Sequence, residues 1–174
     1  MARGLLLVNT GQGKGKTTAA LGTTLRALGQ GLRVAFLQFI KNQKTGESRF
    51  LEEYAAGHPD RLLYRRLGLG FIGADPSAED RVKAAEALEL ARKLTAEGYD
   101  LLVLDEICFA LARGLIEVPA VLELIKNRPP SQHLILTGRG CPEEILALAD
   151  TVTEMRPIRH AYEKGLPAAK GIEF

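Results

Sequence analysis

The run Gly11-Gln-Gly-Lys-Gly-Lys-Thr-Thr18 constrains this chain most, because it lies between the apolar Leu5-Leu-Leu-Val8 and a stretch with helical spacing. A glycine- and lysine-rich loop joining a buried strand to a helix is built to hold phosphate. Glycines let the backbone turn N–H groups toward an anion, Lys16 can place an ammonium among phosphate oxygens, and Thr17 offers a hydroxyl to Mg²⁺. The helix that follows adds its positive N-terminal end. The pattern departs from G-x-x-x-x-G-K-[ST] at one position, where Thr10 stands in place of the first glycine and Gly11 and Gly13 follow.

Apolar patterning extends this start into a series of alternating strands and helices. Strands are expected at residues 5–9, 34–39, 61–66, 101–104, 133–136 and 151–155. Helices are expected at 16–29, 47–56, 77–96, 107–113, 118–126 and 142–148. Ser77 with Asp80 forms an N-terminal cap for the longest helix, and the first strand, helix and second strand make a βαβ unit with parallel pairing. Leu67-Gly-Leu-Gly-Phe-Ile-Gly73 has too many glycines for a regular element and too many apolar residues for a solvated loop, as a segment covering a ligand would. The tail from Arg156 onward shows no clear period. The expected architecture is an α/β fold, a mostly parallel sheet with helices on both faces, formed by residues 1–174 as one domain.

Composition narrows the partners. With 174 residues and a net charge of +2, no general polyanion-binding surface is implied, so nucleic acid is not expected. No apolar run approaches the about 20 residues of a membrane span, and the N-terminal residues enter a strand with no apolar signal region, so the expected setting is the cytoplasm. The two cysteines, Cys108 and Cys141, lack zinc-site spacing and are expected as free thiols. No nucleophile elbow or Cys–His arrangement points to covalent catalysis.

In an open parallel sheet, ligands bind beyond the carboxyl ends of the strands. Those ends carry the phosphate loop, Gln38, Asp105-Glu106 and Arg139. An apolar strand closed by Asp-Glu suits Mg²⁺ held directly or through water. Arg139, between two glycines, can reach a phosphate with two parallel hydrogen bonds, or can simply occupy a surface turn. Lys14 can touch outer phosphates or face water. Lys41 and Lys44 fit a solvated polar loop, and of the three histidines only His160 lies in a suggestive segment.

Taken in order and spacing, six blocks resemble the P-loop type of ATP:corrinoid adenosyltransferases, the cob(I)alamin or cob(I)yrinic acid a,c-diamide adenosyltransferase family. They are Thr10-Gly-Gln-Gly-Lys-Gly-Lys-Thr-Thr-Ala-Ala20, Gln38-Phe-Ile-Lys41, Gly70-Phe71, Val103-Leu-Asp-Glu106, Thr137-Gly-Arg-Gly-Cys141, and Leu148-Ala-Asp-Thr-Val152 through Arg156-Pro157. The resemblance covers nearly the whole chain. It implies a RecA-like P-loop fold, commonly dimeric, that transfers the 5′-deoxyadenosyl group of ATP to Co(I) of a reduced corrinoid and releases triphosphate. It also leaves room for an electron-donating flavoprotein reductase as partner.

Under that resemblance the nucleotide-binding residues are Thr10, Gly11, Gln12, Gly13, Lys14, Gly15, Lys16, Thr17 and Thr18. Thr17, Asp105 and Glu106 hold Mg²⁺ or Mn²⁺, while Lys16, Glu106 and Arg139 serve catalysis. Phe71 matches an aromatic that displaces the lower cobalt ligand. Two positions depart from the family: Gly73 stands where a tryptophan is often found, and Gln12 replaces the more usual Asn. A nucleoside kinase of related fold, or an ATP-dependent binding module, would use the same phosphate loop. The thymidine kinase type, however, carries a cysteine-bound zinc element that is absent here.

Overall fold

A computed structural model describes residues 3–70, 72–73 and 75–174. Six strands form one sheet in the order β3-β2-β4-β5-β1-β6. They are β1 (Leu6–Thr10), β2 (Val34–Gln38), β3 (Leu62–Arg66), β4 (Leu101–Asp105), β5 (His133–Thr137) and β6 (Thr151–Glu154). Every neighbouring pair is parallel, so all carboxyl ends share one edge.

The helices are α1 (Lys16–Gly29), α2 (Gly46–Gly57), α3 (Ala78–Ala96), α4 (Ile107–Ala112), α5 (Val118–Asn127) and α6 (Glu143–Leu146). The expected elements are all present, with ends moved by a few residues. Ser77 and Asp80 form the expected reciprocal cap of α3. A 3₁₀ turn at Ala161–Lys164 interrupts the tail, which carried no period that could foretell it.

Alternation along the strands sorts side chains between two cores. On one face Val34, Phe36, Val103 and Ile135 pack with Ala20, Ala27 and Leu28 of α1 and Leu51 of α2. On the other, Ala35, Leu37, Leu102, Leu104, Leu134 and Leu136 pack with α3, α4, α5 and α6. Both faces of β2 and β4 are therefore covered, and every residue of those strands is buried. Edge strand β6 is exposed throughout and pairs with β1 alone.

One expectation about pairing is corrected. β1 and β2 flank α1 but do not pair with each other: β1 lies between β5 and β6, whereas β2 lies between β3 and β4. The α1 crossover passes over β5 and β4, which take the centre of the sheet. This order sets the phosphate loop one strand away from the end of β4, leaving the tip of β5 between them.

Candidate functional site

The phosphate loop begins where Thr10 ends β1 and closes where Lys16 opens α1. Gly15 caps that helix at φ 115°, a conformation costly for any side chain, and no side chain caps the helix. The first-turn N–H groups are thus left for an anion. Gly13 is held from the other side, its N–H donating to the Met155 carbonyl at 2.6 Å just past β6. A Cβ on Gly13 would stand 2.6 Å from that same oxygen, so only glycine fits.

Lys16 is buried, and its Nζ donates to the Gly11 and Gly13 carbonyl oxygens at 2.8 and 2.6 Å. Burial, opposed in part by the Glu106 charge, holds its ammonium below the usual lysine range. Two of its three protons hold the loop closed and the third remains for a ligand.

Asp105, fully buried at the end of β4, organises the centre. Its Oδ1 accepts from the Thr17 hydroxyl at 2.9 Å and the Thr137 hydroxyl at 2.6 Å, and its Oδ2 accepts from Gln38 Nε2 at 3.0 Å. Gln38 is fixed in turn by the Tyr64 hydroxyl at 2.5 Å. Burial pushes the Tyr64 phenol above its ordinary range, which keeps it a donor. Thr137 also accepts the Glu106 N–H at 2.9 Å. Three neighbouring strands, β2, β4 and β5, so converge on one carboxylate.

Glu106 is the one residue other than glycine with positive φ among the described residues, at 65°. That left-handed turn swings the chain from β4 into α4 at the carboxyl edge, and such a conformation persists only where the surroundings impose it. Burial and the adjacent Asp105 charge push its carboxyl above the usual range, against the pull of Lys41, Lys16 and Arg139.

These parts open on one cavity of about 730 Å³. Gln12, Gly13, Lys14, Gly15, Lys16, Thr17, Thr18, Glu106 and Arg139 line it. Thr10, Gly11 and Asp105 do not: Gly11 and Asp105 hold the lining residues as just described, and the Thr10 hydroxyl accepts the Cys141 N–H at 3.4 Å. Arg139, exposed between Gly138 and Gly140, lies in the turn that this contact ties to β1. Phe71 lies outside the described residues. Around it, Leu67 N–H donates to Gln38 O and Gly70 N–H to Ile40 O, so residues 67–70 run beside the exit from β2.

Three features escaped the sequence. Lys41 is not a solvated loop residue, since its Nζ donates to Thr17 Oγ1 at 3.0 Å and lies 3.7 Å from Asp105 Oδ2. The tail returns to the cavity: Gly171–Phe174 line it, and Lys14 Nζ pairs with Glu173 at 2.7 Å and donates to the Ile172 carbonyl at 3.1 Å. The Gln38–Tyr64 link gave no local signal, being a cross-strand pairing. His160 lines the cavity while its Nδ1 caps the 3₁₀ turn, and His133 Nδ1 accepts the Leu5 N–H in a structural role. Both cysteines are free. No helix among the described residues is long and apolar enough to cross a membrane.

A parallel sheet in this order, with a lysine-bearing glycine loop after β1 and a buried Asp reaching the loop's threonine from β4, defines a P-loop nucleotide-binding protein of the RecA-like type. Solved structures agree on the fold. Flagellar accessory protein FlaH from Methanocaldococcus jannaschii superposes with a TM-score of 0.59 at 14% identity, covering 88% of this chain and 72% of that one. The KaiC-like protein PH0186 from Pyrococcus horikoshii OT3 gives 0.56 at 18% identity, covering 90% and 74%.

The chain belongs to the ATP:corrinoid adenosyltransferase BtuR/CobO/CobP family, whose model matches residues 2–174. The corrinoid adenosyltransferase of Pseudomonas aeruginosa is 42% identical over 99% of this chain and 84% of its own length. Those of Escherichia coli strain K12 and Salmonella typhimurium strain LT2 are each 38% identical over 99% of this chain and 86% of their own.

Proposed function

We propose that this protein transfers the 5′-deoxyadenosyl group of ATP to the Co(I) centre of a corrinoid and releases triphosphate. The observation that carries the proposal is the convergence of the phosphate loop, the Thr17–Asp105 pair, Glu106 and Arg139 on one cavity, in a chain of this family. Co(I) is itself a strong nucleophile, so the protein is not asked for a general base. Its tasks are to align C5′ with cobalt, to exclude water and to stabilise the departing triphosphate. Lys16, the loop amides with Lys14, and Arg139 supply positive charge and donors for that leaving group.

The donor set suits a hard divalent cation. The Thr17 hydroxyl and the Asp105 and Glu106 carboxylates offer only oxygen, the ligand type that Mg²⁺ or Mn²⁺ takes, and Mg²⁺ commonly completes its shell with water and phosphate oxygens. When bound there, the cation neutralises charge on the triphosphate. Asp105 holds the Thr17 hydroxyl in place for such a cation, and Glu106, lining the cavity at the end of β4, would be its second carboxylate.

The reading extends to Phe71, Thr10 and Gln12 in their family roles, to a homodimer, to a cytoplasmic setting and to a flavoprotein as electron donor. If Phe71 displaces the lower cobalt ligand, Phe71→Ala should depress activity more when Co(II) must be reduced on the enzyme than when Co(I) is supplied. Equal loss in both assays, with a lowered melting temperature, would return it to a packing role. The decisive assay for the function is anaerobic incubation with ATP, Mg²⁺ and chemically reduced corrinoid, followed by the absorbance of the cobalt–carbon product. Adenosylcorrinoid and triphosphate are expected in equal amounts; ADP as product would favour a kinase, and binding without turnover a binding module.

A further inference from the structure

Lys41 leaves the end of β2 and turns its ammonium into the site instead of into water. The Thr17 hydroxyl has one proton, and donates it to Asp105 Oδ1 at 2.9 Å. Its oxygen can therefore only accept from the cavity side, and it accepts from Lys41 Nζ at 3.0 Å. The same ammonium lies 3.7 Å from Asp105 Oδ2, whose side chain is completely buried while that of Lys41 is 34% exposed. The other partners of Asp105 are the neutral donors Thr17, Thr137 and Gln38. Lys16 acts on Asp105 only from farther off: two of its donors go to the Gly11 and Gly13 carbonyls, and among the described residues the cation within 4 Å of the carboxylate is Lys41.

The Lys41 ammonium thus sits on the hydroxyl lone pair and beside the carboxylate that a divalent cation would use. We propose that Lys41 is a place-holding cation: it occupies the metal position in the nucleotide-free protein and yields it only to a cation arriving with nucleotide phosphates. This rests on the metal site proposed above. A buried carboxylate without a paired charge is costly, so the nucleotide-free state needs such a counter-ion. Two cations cannot share the Thr17 oxygen, so free metal must expel the ammonium without bringing a new anion to receive it. Nucleotide phosphates provide that destination, and the displaced ammonium becomes a further positive group for the triphosphate. Lys41 is in this sense a positioning residue that makes metal entry depend on nucleotide.

The test is Mn²⁺ binding to the whole protein, read from the electron paramagnetic resonance signal of free Mn²⁺, with and without ATP. Nucleotide-free wild type should bind Mn²⁺ weakly, and Lys41→Met should bind it at least tenfold more tightly. Adding Thr17→Val to Lys41→Met should abolish that gain, and the enhancement of Mn²⁺ affinity by ATP should be smaller in Lys41→Met than in wild type. Lys41→Gln, which keeps a polar end group, serves in the same way should the methionine variant fail to fold. Equal Mn²⁺ affinity of folded, nucleotide-free wild type and variant would overturn the inference while leaving the metal site intact. A wild-type protein that adds nothing to Mn²⁺ binding by ATP itself would overturn the metal site and this inference together.

Discussion

At the scale of single residues, charge placement around a half-buried site dominates. Lys16 spends two hydrogen bonds on its own loop and presents the remainder to the cavity, so Lys16→Ala removes both a clamp and a cation. Adenosyl transfer should fall by about tenfold to a thousandfold, the scale of losing one charge-stabilising group, with the circular dichroism spectrum unchanged. Wild-type turnover by the folded variant would exclude the site. Glu106 behaves oppositely to a salt-bridged acid. Its carboxyl is pushed above the ordinary value of 4.5, so the folded state holds the proton more tightly than the unfolded state. Its favourable contribution is then present below that ordinary value and lost as pH rises through the folded value. Glu106→Gln should accordingly raise the melting temperature of the nucleotide-free protein near neutral pH, and the gain should vanish in acid. The same variant should require more Mg²⁺ for turnover; an unchanged Mg²⁺ titration would remove Glu106 from the metal site.

At the scale of elements, the phosphate loop is braced by two segments far away in sequence. Residues just past β6 press on Gly11 and Gly13, so Gly13→Ala must drive a methyl group into the Met155 carbonyl or lift the loop off the strand. Overpacking of this kind costs about 1 to 3 kcal/mol, and the displaced amides should weaken ATP binding at least about tenfold, on the scale of one or more lost hydrogen bonds to a charged group. Calorimetric titration with ATP would read the binding loss and thermal unfolding the stability loss, each against an Ala control at Gly22, whose Cβ position is open. The tail supplies the second brace. Lys14 is paired with Glu173, and triphosphate reaching Lys14 must compete with that carboxylate. The partners are 43% and 28% exposed, so the pair is of the modest surface kind. Glu173→Gln should tighten ATP binding by about twofold to fivefold, the span that about 0.4 to 1 kcal/mol allows. Weaker binding would show that Glu173 helps the nucleotide instead of competing with it.

For the whole molecule, binding and stability are linked because the site exists only when five segments, around residues 10–18, 38–41, 105–106, 137–139 and 171–174, are brought together. A ligand that binds the folded state alone stabilises it by about 2.7 kcal/mol at a hundred times its Kd. For a chain of this length that amounts to a rise of about 5 to 10 °C in Tm, at about 2 to 4 °C per kcal/mol. Mg²⁺ with ATP should produce such a shift in wild type and little of it in Lys16→Ala. A shift of equal size in both proteins would place the nucleotide elsewhere.

What the sequence determined by itself is what depends on near neighbours. The strand-loop-helix of residues 5–29, the capping box at Ser77 and Asp80, and the carboxylates closing the fourth strand are short-range patterns. Backbone sterics, helical spacing and burial express these wherever the segments lie. Apolar patterning set the α/β class, and the order of the blocks pointed to the family. Only the tertiary structure decided which strands are neighbours. β5 and β4 took the centre, separating β1 from β2, and that order carried Gln38, Thr137 and Thr17 to one carboxylate. It also decided that Lys41 faces Asp105 and not solvent, and that the unpatterned tail closes back on Lys14. Such contacts join residues separated by 24 to 159 positions along the chain. Their energy comes from satisfying a buried charge and from strand packing, and neither leaves a periodic trace in the local sequence.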